Sequence, residues 1–334
     1  LKKSATPDGG SFSQLPEVTM ATVAAPSVAR PVHARRGFLD RGLASWLFLL
    51  PTVIFFIGWQ LWPIFRVGWI SFTDYEFLNT TDPVNWVGLQ NFREAFADPL
   101  MRLGLLRAAG FTALFLPGMI FIPMFLAVLV DRIQNPKLAT TYRLILLIPA
   151  MIPGPLIFLL WRWMYDLYIG PINYFLVDVF GIFTIRDQPQ WIGDPRLVFF
   201  SLAGMEWWWG LGYHTMFFLA GLATIPRDFF DAARVDGANE WRMFWDVTFP
   251  RLLPIILVLV VLRFGTAMAV IDEYLIMGGV NRERPTYTWT VYMWEMAFQR
   301  PPRDLGYAAA IGWVGTIAML VVVAGLFYAF RSRD

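Results

Sequence analysis

The sequence has no cysteine, only two histidines and only three lysines in 334 residues. The missing cysteine excludes disulfides, thiolate catalysis and zinc–thiolate sites. His33 and His214 are too few for a metal site built on imidazoles. None of the lysines, Lys2, Lys3 and Lys137, follows a glycine, so the chain has no GxxxxGK(S/T) phosphate loop. If the protein draws on ATP, another chain hydrolyses it. Charge is scarce too: 16% of residues are charged, against about 25% in soluble domains. A net charge of +2 gives no case for a nucleic-acid partner.

Apolar residues are abundant. They make up 57% of the chain, and the mean hydropathy is +0.51. That is too little polar surface to cover a water-soluble globule, so an all-α membrane protein is expected. A span needs about 20 mostly apolar residues. Six stretches qualify, at about 43–65, 106–130, 144–165, 197–225, 252–272 and 305–330. Residues 1–36, rich in Ser, Thr, Pro and Ala, read as a disordered cytoplasmic tail ahead of a membrane domain at 37–334. Within that tail, residues 1–19 read as a leader or upstream extension, with Met20 as a start.

Basic residues orient the spans. The short loop at 131–143 carries Arg132, Lys137 and Arg143, and the loop at 226–251 carries Arg227, Arg234, Arg242 and Arg251. The segment at 165–196 has only Arg186 and Arg196. Both termini and the 226–251 loop are therefore expected on the cytoplasmic side.

That loop holds DAARVDGANEWRMFWDVTFPRLLP, residues 231–254, dense in charge for so apolar a chain. Asp228 is placed to cap a helix with Asp231 in its first turn. Gly237 offers the left-handed turn that stops it. Asn239 can cap a second short helix, with Pro250 and Pro254 breaking the backbone before the fifth span. Two short helices across the cytoplasmic face are the expectation.

Ionisable groups inside spans are costly and default to functional candidates. Glu206, Gly210, Tyr213 and His214 share one face of the fourth span at helical spacing; Arg263, Ala267 and Val270 share one of the fifth. The plain structural alternative is that Arg263 simply pairs with Glu206. A cationic lining from Arg263 and His214 would suit an acidic sugar such as a uronate oligomer.

Asp231-Ala232-Ala233, Asp236-Gly237-Ala238 and Phe249-Pro250 resemble the EAA loop of ABC importer permeases, with Asp for Glu at 231. Trp86-Val87-Gly88-Leu89-Gln90-Asn91-Phe92, Leu147-Ile148-Pro149, Leu222-Ala223-Thr224-Ile225-Pro226 and Gly278-Gly279 are similar, in the same order, to segments of carbohydrate-uptake permeases related to the larger membrane subunit of the maltose transporter. Val280 stands where that family has Pro.

The resemblance implies a non-enzymatic, binding-protein-dependent permease of the bacterial inner membrane. It implies a second permease subunit, two ATPase subunits that bind ATP and Mg, and an extracytoplasmic solute-binding protein as partners. It makes Asp231, Ala232, Ala233, Asp236, Gly237 and Ala238 the coupling helix. It places substrate on the faces of Glu206, Gly210, Tyr213, His214, Arg263 and Ala267. The rival readings are a secondary transporter, a permease for a related polyol or glycerol-phosphate solute, and a membrane-embedded enzyme. No internal repeat supports the first rival, and Glu206 with His214 is thin support for the last.

Overall fold

A computed structural model describes residues 38–78, 81–301 and 304–331. The tail at 1–36 and its upstream extension lie outside them. The described residues are helical, with isolated bridges at Thr73–Trp86 and Glu76–Asp304 and no strand. The helices are α1 (Phe38–Phe56), α2 (Trp62–Ile70), α3 (Gln90–Ala97), α4 (Pro99–Asp131), α5 (Pro136–Leu147), α6 (Gly154–Met164), α7 (Pro171–Tyr174), α8 (Val198–Ala223), α9 (Arg227–Val235), α10 (Glu240–Met243), α11 (Phe249–Met268), α12 (Trp289–Trp294) and α13 (Leu305–Arg331). The chain divides into two compact units, before and after Ile57–Gly58. In the first, α1 leaves Trp46, Phe48 and Phe55 exposed, which suits lipid and not water.

The second unit is built on α4 and α8. Asp98 caps α4 by accepting the Leu100 N–H at 2.7 Å, and Pro99 fits the first helical position, where no intrahelical N–H bond is lost. One apolar core gathers Phe111, Met119, Leu202, Met205, Ala267 and Tyr274. A second, toward the C-terminal end of α8, gathers Met124, Val130, Phe218, Leu222 and Leu252. Close approach is bought by small residues: a β-carbon on Gly212 would lie 2.1 Å from the Leu146 carbonyl oxygen.

Among the described residues, four stretches are long and apolar enough to cross a membrane: Trp46–Ile70, Pro99–Asp131, Glu240–Met268 and Leu305–Tyr328. The chain is therefore a multi-pass membrane protein. The remaining two expected spans differ from it in instructive ways. α8 has the length, at 26 residues, but Glu206, His214 and its tryptophans and glycines dilute its apolarity. The stretch expected at 144–165 is not one helix. α5 ends at Leu147, a 3₁₀ turn covers Pro149–Met151, and α6 starts at Gly154. Pro149 and Pro153 supply no N–H to continue the ladder. The Ile152 carbonyl freed by the break accepts the Trp209 indole N–H at 3.1 Å.

The fifth span corrects a second expectation. Pro250 and Pro254 do not break the backbone. α10, a π-helical segment at Phe244–Thr248 and α11 run as one helix over Glu240–Met268. The wider π turn makes room for Pro250, whose ring would crowd the carbonyl of Asp246 in a regular α-helix.

After α11 the chain folds back. The Trp289 indole donates to the Met268 carbonyl at 2.8 Å, and Thr290 Oγ1 donates to the Val270 carbonyl. Trp289, Val291 and Tyr292 of α12 are buried. Arg107 holds this segment by donating to the carbonyls of Arg282 (2.9 Å) and Tyr287 (3.0 Å). Hydropathy could not reveal α12, because six residues are far too few for a span.

Candidate coupling loop and translocation site

Pro226 precedes α9 with no side-chain cap, so Asp228 is not the cap expected of it. It sits in the first turn, where its charge still meets the positive end of the helix dipole. Asp231 lies in the second turn and pairs with Arg234 at 2.9 Å. Both side chains are exposed, so this pair contributes less than about 1 kcal/mol. Gly237, at φ +76°, stops α9, as its sequence position suggested. The Ala238 N–H returns to the Ala233 carbonyl at 2.9 Å. Asn239 caps α10 by accepting the Arg242 N–H at 2.9 Å.

The outward surface of α9 is open: Asp231, Ala232, Arg234, Val235, Asp236 and Gly237 are all exposed. Two contacts tie this loop to the long helices. The Arg251 guanidinium stacks 3.3 Å over the Phe229 ring, joining α9 to α11. Arg132, just past α4, forms an ion pair with Glu240 at the start of α10. A cleft of about 680 Å³ opens between these elements, lined by Asp131, Arg132, Arg227, Asp231, Arg234 and Glu240 among others. The loop is thus an exposed helix with charged flanks, fastened to α4 and α11.

On the α8–α11 contact the six substrate candidates are divided. His214 is fully buried. Its Nδ1–H donates to the Gly210 carbonyl at 2.7 Å, and its Nε2 accepts from Arg263 Nε at 2.7 Å. A guanidinium only donates and a carbonyl only accepts, which fixes the imidazole's tautomer. Arg263 is therefore the one cation this pair presents. Its terminal nitrogens make no hydrogen bond among the described residues. Arg263 thus pairs with His214 rather than forming an ion pair with Glu206, although Glu206 and Tyr213 lie within its electrostatic reach.

Tyr213 is half exposed, its ring edge-on to His214 at 5.4 Å and Phe217 at 5.0 Å. Ala267 is part of the apolar core. The space beside Gly210 is filled: a β-carbon there would meet the Met119 methyl at 2.7 Å. Glu206 is buried, and its Oε1 has no hydrogen-bond partner.

Two further polar groups join this face. Glu273 faces the Glu206 carboxyl, and the buried Tyr274 hydroxyl, also without a partner, lies near both. From the sequence, Asp272, Glu273 and Tyr274 fall at the outer end of the fifth span, where substrate would enter, with contact to a binding protein or a helix cap as equal alternatives. They lie outside the helical faces drawn through Glu206 and Arg263. Helical spacing does not carry past Met268, where α11 stops and the backbone re-forms as a π turn at Tyr274–Gly278. The cluster offers an unsatisfied acceptor on Glu206 beside free donors on Arg263 and Tyr274. A ligand hydroxyl, which both donates and accepts, matches that set.

Long apolar helices around buried polar groups, with an exposed helical loop on one side, define an integral membrane transport component. Its sequence matches the profile for binding-protein-dependent transport system inner membrane components over residues 119–333, and the chain belongs to that family. It is 30% identical over 292 residues to the probable ABC transporter permease protein YesP of Bacillus subtilis, covering 86% of this chain and 89% of that one. It is 28% identical over 325 residues to the sulfoquinovosyl glycerol transport system permease protein SmoG of Agrobacterium fabrum, covering 96% and 100%. Its fold matches the crystal structure of a bacterial ABC transporter involved in the import of the acidic polysaccharide alginate, with a TM-score of 0.75 at 20% identity, over 89% of this chain and 98% of that one.

Proposed function

We propose that this chain is a permease subunit of an ABC importer for a sugar or oligosaccharide. It forms half of a translocation pathway with a second, similar permease. Two partner ATPase subunits bind ATP and Mg, and an extracytoplasmic solute-binding protein delivers the substrate. The membrane is the bacterial inner membrane. Six crossings, with α5–α6 and α8 as the third and fourth, put both termini and the 226–251 loop on the cytoplasmic side.

The single observation that carries this reading is the 226–251 loop. An exposed helix is stopped by Gly237, followed by the Asn239 cap, and fastened to α4 and α11. A chain without a phosphate loop needs such a surface to receive work done elsewhere. In the cycle, ATP closes the ATPase dimer, α9 is carried with it, and α4 and α11 rock between inward-open and outward-open arrangements. The sugar assignment is supported by the hydroxyl-matching polar cluster and by SmoG. The acidic form of it draws on Arg263, whose terminal nitrogens are free to meet a carboxylate, and on the alginate importer.

The test is purification and reconstitution. Co-elution with an ATPase chain and sugar-stimulated ATPase activity are expected. Gly237→Pro should remove that stimulation while the subunit is still made and assembled. Solute uptake driven by an ion gradient with no ATPase chain present would overturn the reading.

A further inference from the structure

Between α6 and α8 the chain carries a second apolar surface that the transport cycle leaves unused. Residues 167–185 contain one charged side chain, Asp178. Tyr168, Ile169, Phe175, Phe180, Ile182 and Ile185 are each at least 50% exposed. This surface is not a collapsed loop, because a polar frame holds it. Asp166 Oδ1 accepts the N–H groups of Tyr168 (2.9 Å) and Ile169 (3.0 Å). The buried Asn173 side chain donates to the carbonyls of Leu167 (3.2 Å) and Pro189 (3.1 Å) and accepts the Trp191 indole N–H at 2.8 Å. Ser201 on α8 donates to the Trp191 carbonyl at 2.8 Å and accepts the Tyr165 hydroxyl on its own carbonyl at 2.8 Å. Charge returns only beyond the segment, where Arg186, Asp187, Asp194 and Arg196 line a cleft of about 810 Å³.

We infer that residues 167–185 form a platform that lies in the outer interface of the bilayer, its apolar side chains covered by lipid. This rests on the reading that the chain up to Met164 crosses the membrane. Tyr168 is then four residues beyond the span, within about 14 Å of chain. A soluble binding protein docks and leaves, and would expose this apolar surface to water for much of each cycle. The bilayer covers it throughout. Two tyrosines in the segment, Tyr168 and Tyr174, and Trp163 just before it are of the residue types that settle at that depth. The near absence of charge points to the acyl boundary rather than to an anionic headgroup.

The cysteine-free sequence makes the test direct. Phe180→Cys and, separately, Ile182→Cys are labelled with an environment-sensitive fluorophore in the assembled transporter, in phosphatidylcholine nanodiscs. Asp187→Cys marks the charged side. At positions 180 and 182 the expected result is blue-shifted emission, at least twofold quenching by a nitroxide high on the lipid acyl chain, and little quenching by aqueous iodide. Position 187 should show the reverse. Added binding protein should leave the lipid quenching unchanged. Iodide quenching at 180 and 182 equal to that at 187 would overturn the inference. So would shielding from both quenchers, which would mean a protein partner covers the surface. Either failure, beside intact sugar-stimulated ATPase activity, leaves the transport reading standing.

Discussion

Arg263 on α11 donates its Nε–H to Nε2 of His214 on α8 at 2.7 Å, and His214 passes the constraint on to the Gly210 carbonyl. One hydrogen-bonded line therefore crosses from the fifth span to the backbone of the fourth. It aims the guanidinium and leaves its terminal nitrogens without a hydrogen bond among the described residues.

Arg263→Gln keeps a donor but loses the charge and the fork. Uptake is expected to fall about tenfold or more, the equivalent of about 1.4 kcal/mol. Glu206→Gln should change which sugars compete for uptake more than it changes assembly. Uptake assays in reconstituted vesicles decide both, and unchanged uptake and choice of sugar in the two variants would remove these residues from the pathway.

The Arg251–Phe229 stack joins α9, the coupling helix of the proposed function, to α11 at 3.3 Å. Arg251→Met keeps much of the stem but loses the attraction, worth about 0.5–1 kcal/mol at an exposed site. The expected phenotype is a lower ratio of sugar moved to ATP hydrolysed, with near-normal basal ATPase activity. Arg251→Lys should retain more of the ratio than Arg251→Met.

Asp98 receives the hydroxyls of Tyr292 (2.5 Å) and Tyr307 (3.0 Å) while capping α4. Burial alone pushes its carboxyl up, but the Tyr292 hydroxyl, the Leu100 N–H and the Tyr307 hydroxyl outweigh this and hold it below the usual aspartate range. A depressed carboxyl lends stability that is fully present above its unfolded value, near about 4, and is lost as pH falls through the folded value. Thermal unfolding in detergent should therefore show acid destabilisation below about pH 4 that is smaller in Asp98→Asn, by the share that Asp98 contributes beside other lowered carboxyls such as Glu295. At neutral pH that variant should lose about 1–3 kcal/mol, because its hydrogen bonds no longer involve a charge.

Gly212→Ala forces a methyl onto the Leu146 carbonyl, 2.1 Å away, whereas Gly265 has nothing within 4 Å. The first should cost about 1–3 kcal/mol or more by overpacking, and the second should be neutral or slightly stabilising. Melting temperatures of the two variants, measured side by side, check the pairing of α5 with α8.

Much of this was legible in the residues. Gly237 and Asn239 announced the turn and the cap, because those roles depend on local chemistry alone. The runs ending at Asp131 and Arg331 gave two spans directly. What stayed hidden depended on neighbours. Nothing local to Pro250 says that a π turn will absorb it. His214 was read as a second cation, because only its partners, the Gly210 carbonyl and Arg263, show which nitrogen carries the proton. The break at Pro149–Pro153 was visible as prolines, but its consequence needed Trp209, 57 residues from the Ile152 carbonyl that it satisfies.

The continuous helix over Glu240–Met268 changes what the 226–251 loop can be mechanically. Its 29 residues make a rod about 43 Å long at about 1.5 Å per residue. A rod of that length, tilted about 10° about its middle, moves its two ends by about 4 Å in opposite directions. Glu240 sits at one end and the segment bearing Arg263 toward the other. In the proposed cycle, a push on the loop end reaches the end bearing Arg263 reversed in sense, through one continuous helix whose π turn at Phe244–Thr248 lies close to the pushed end.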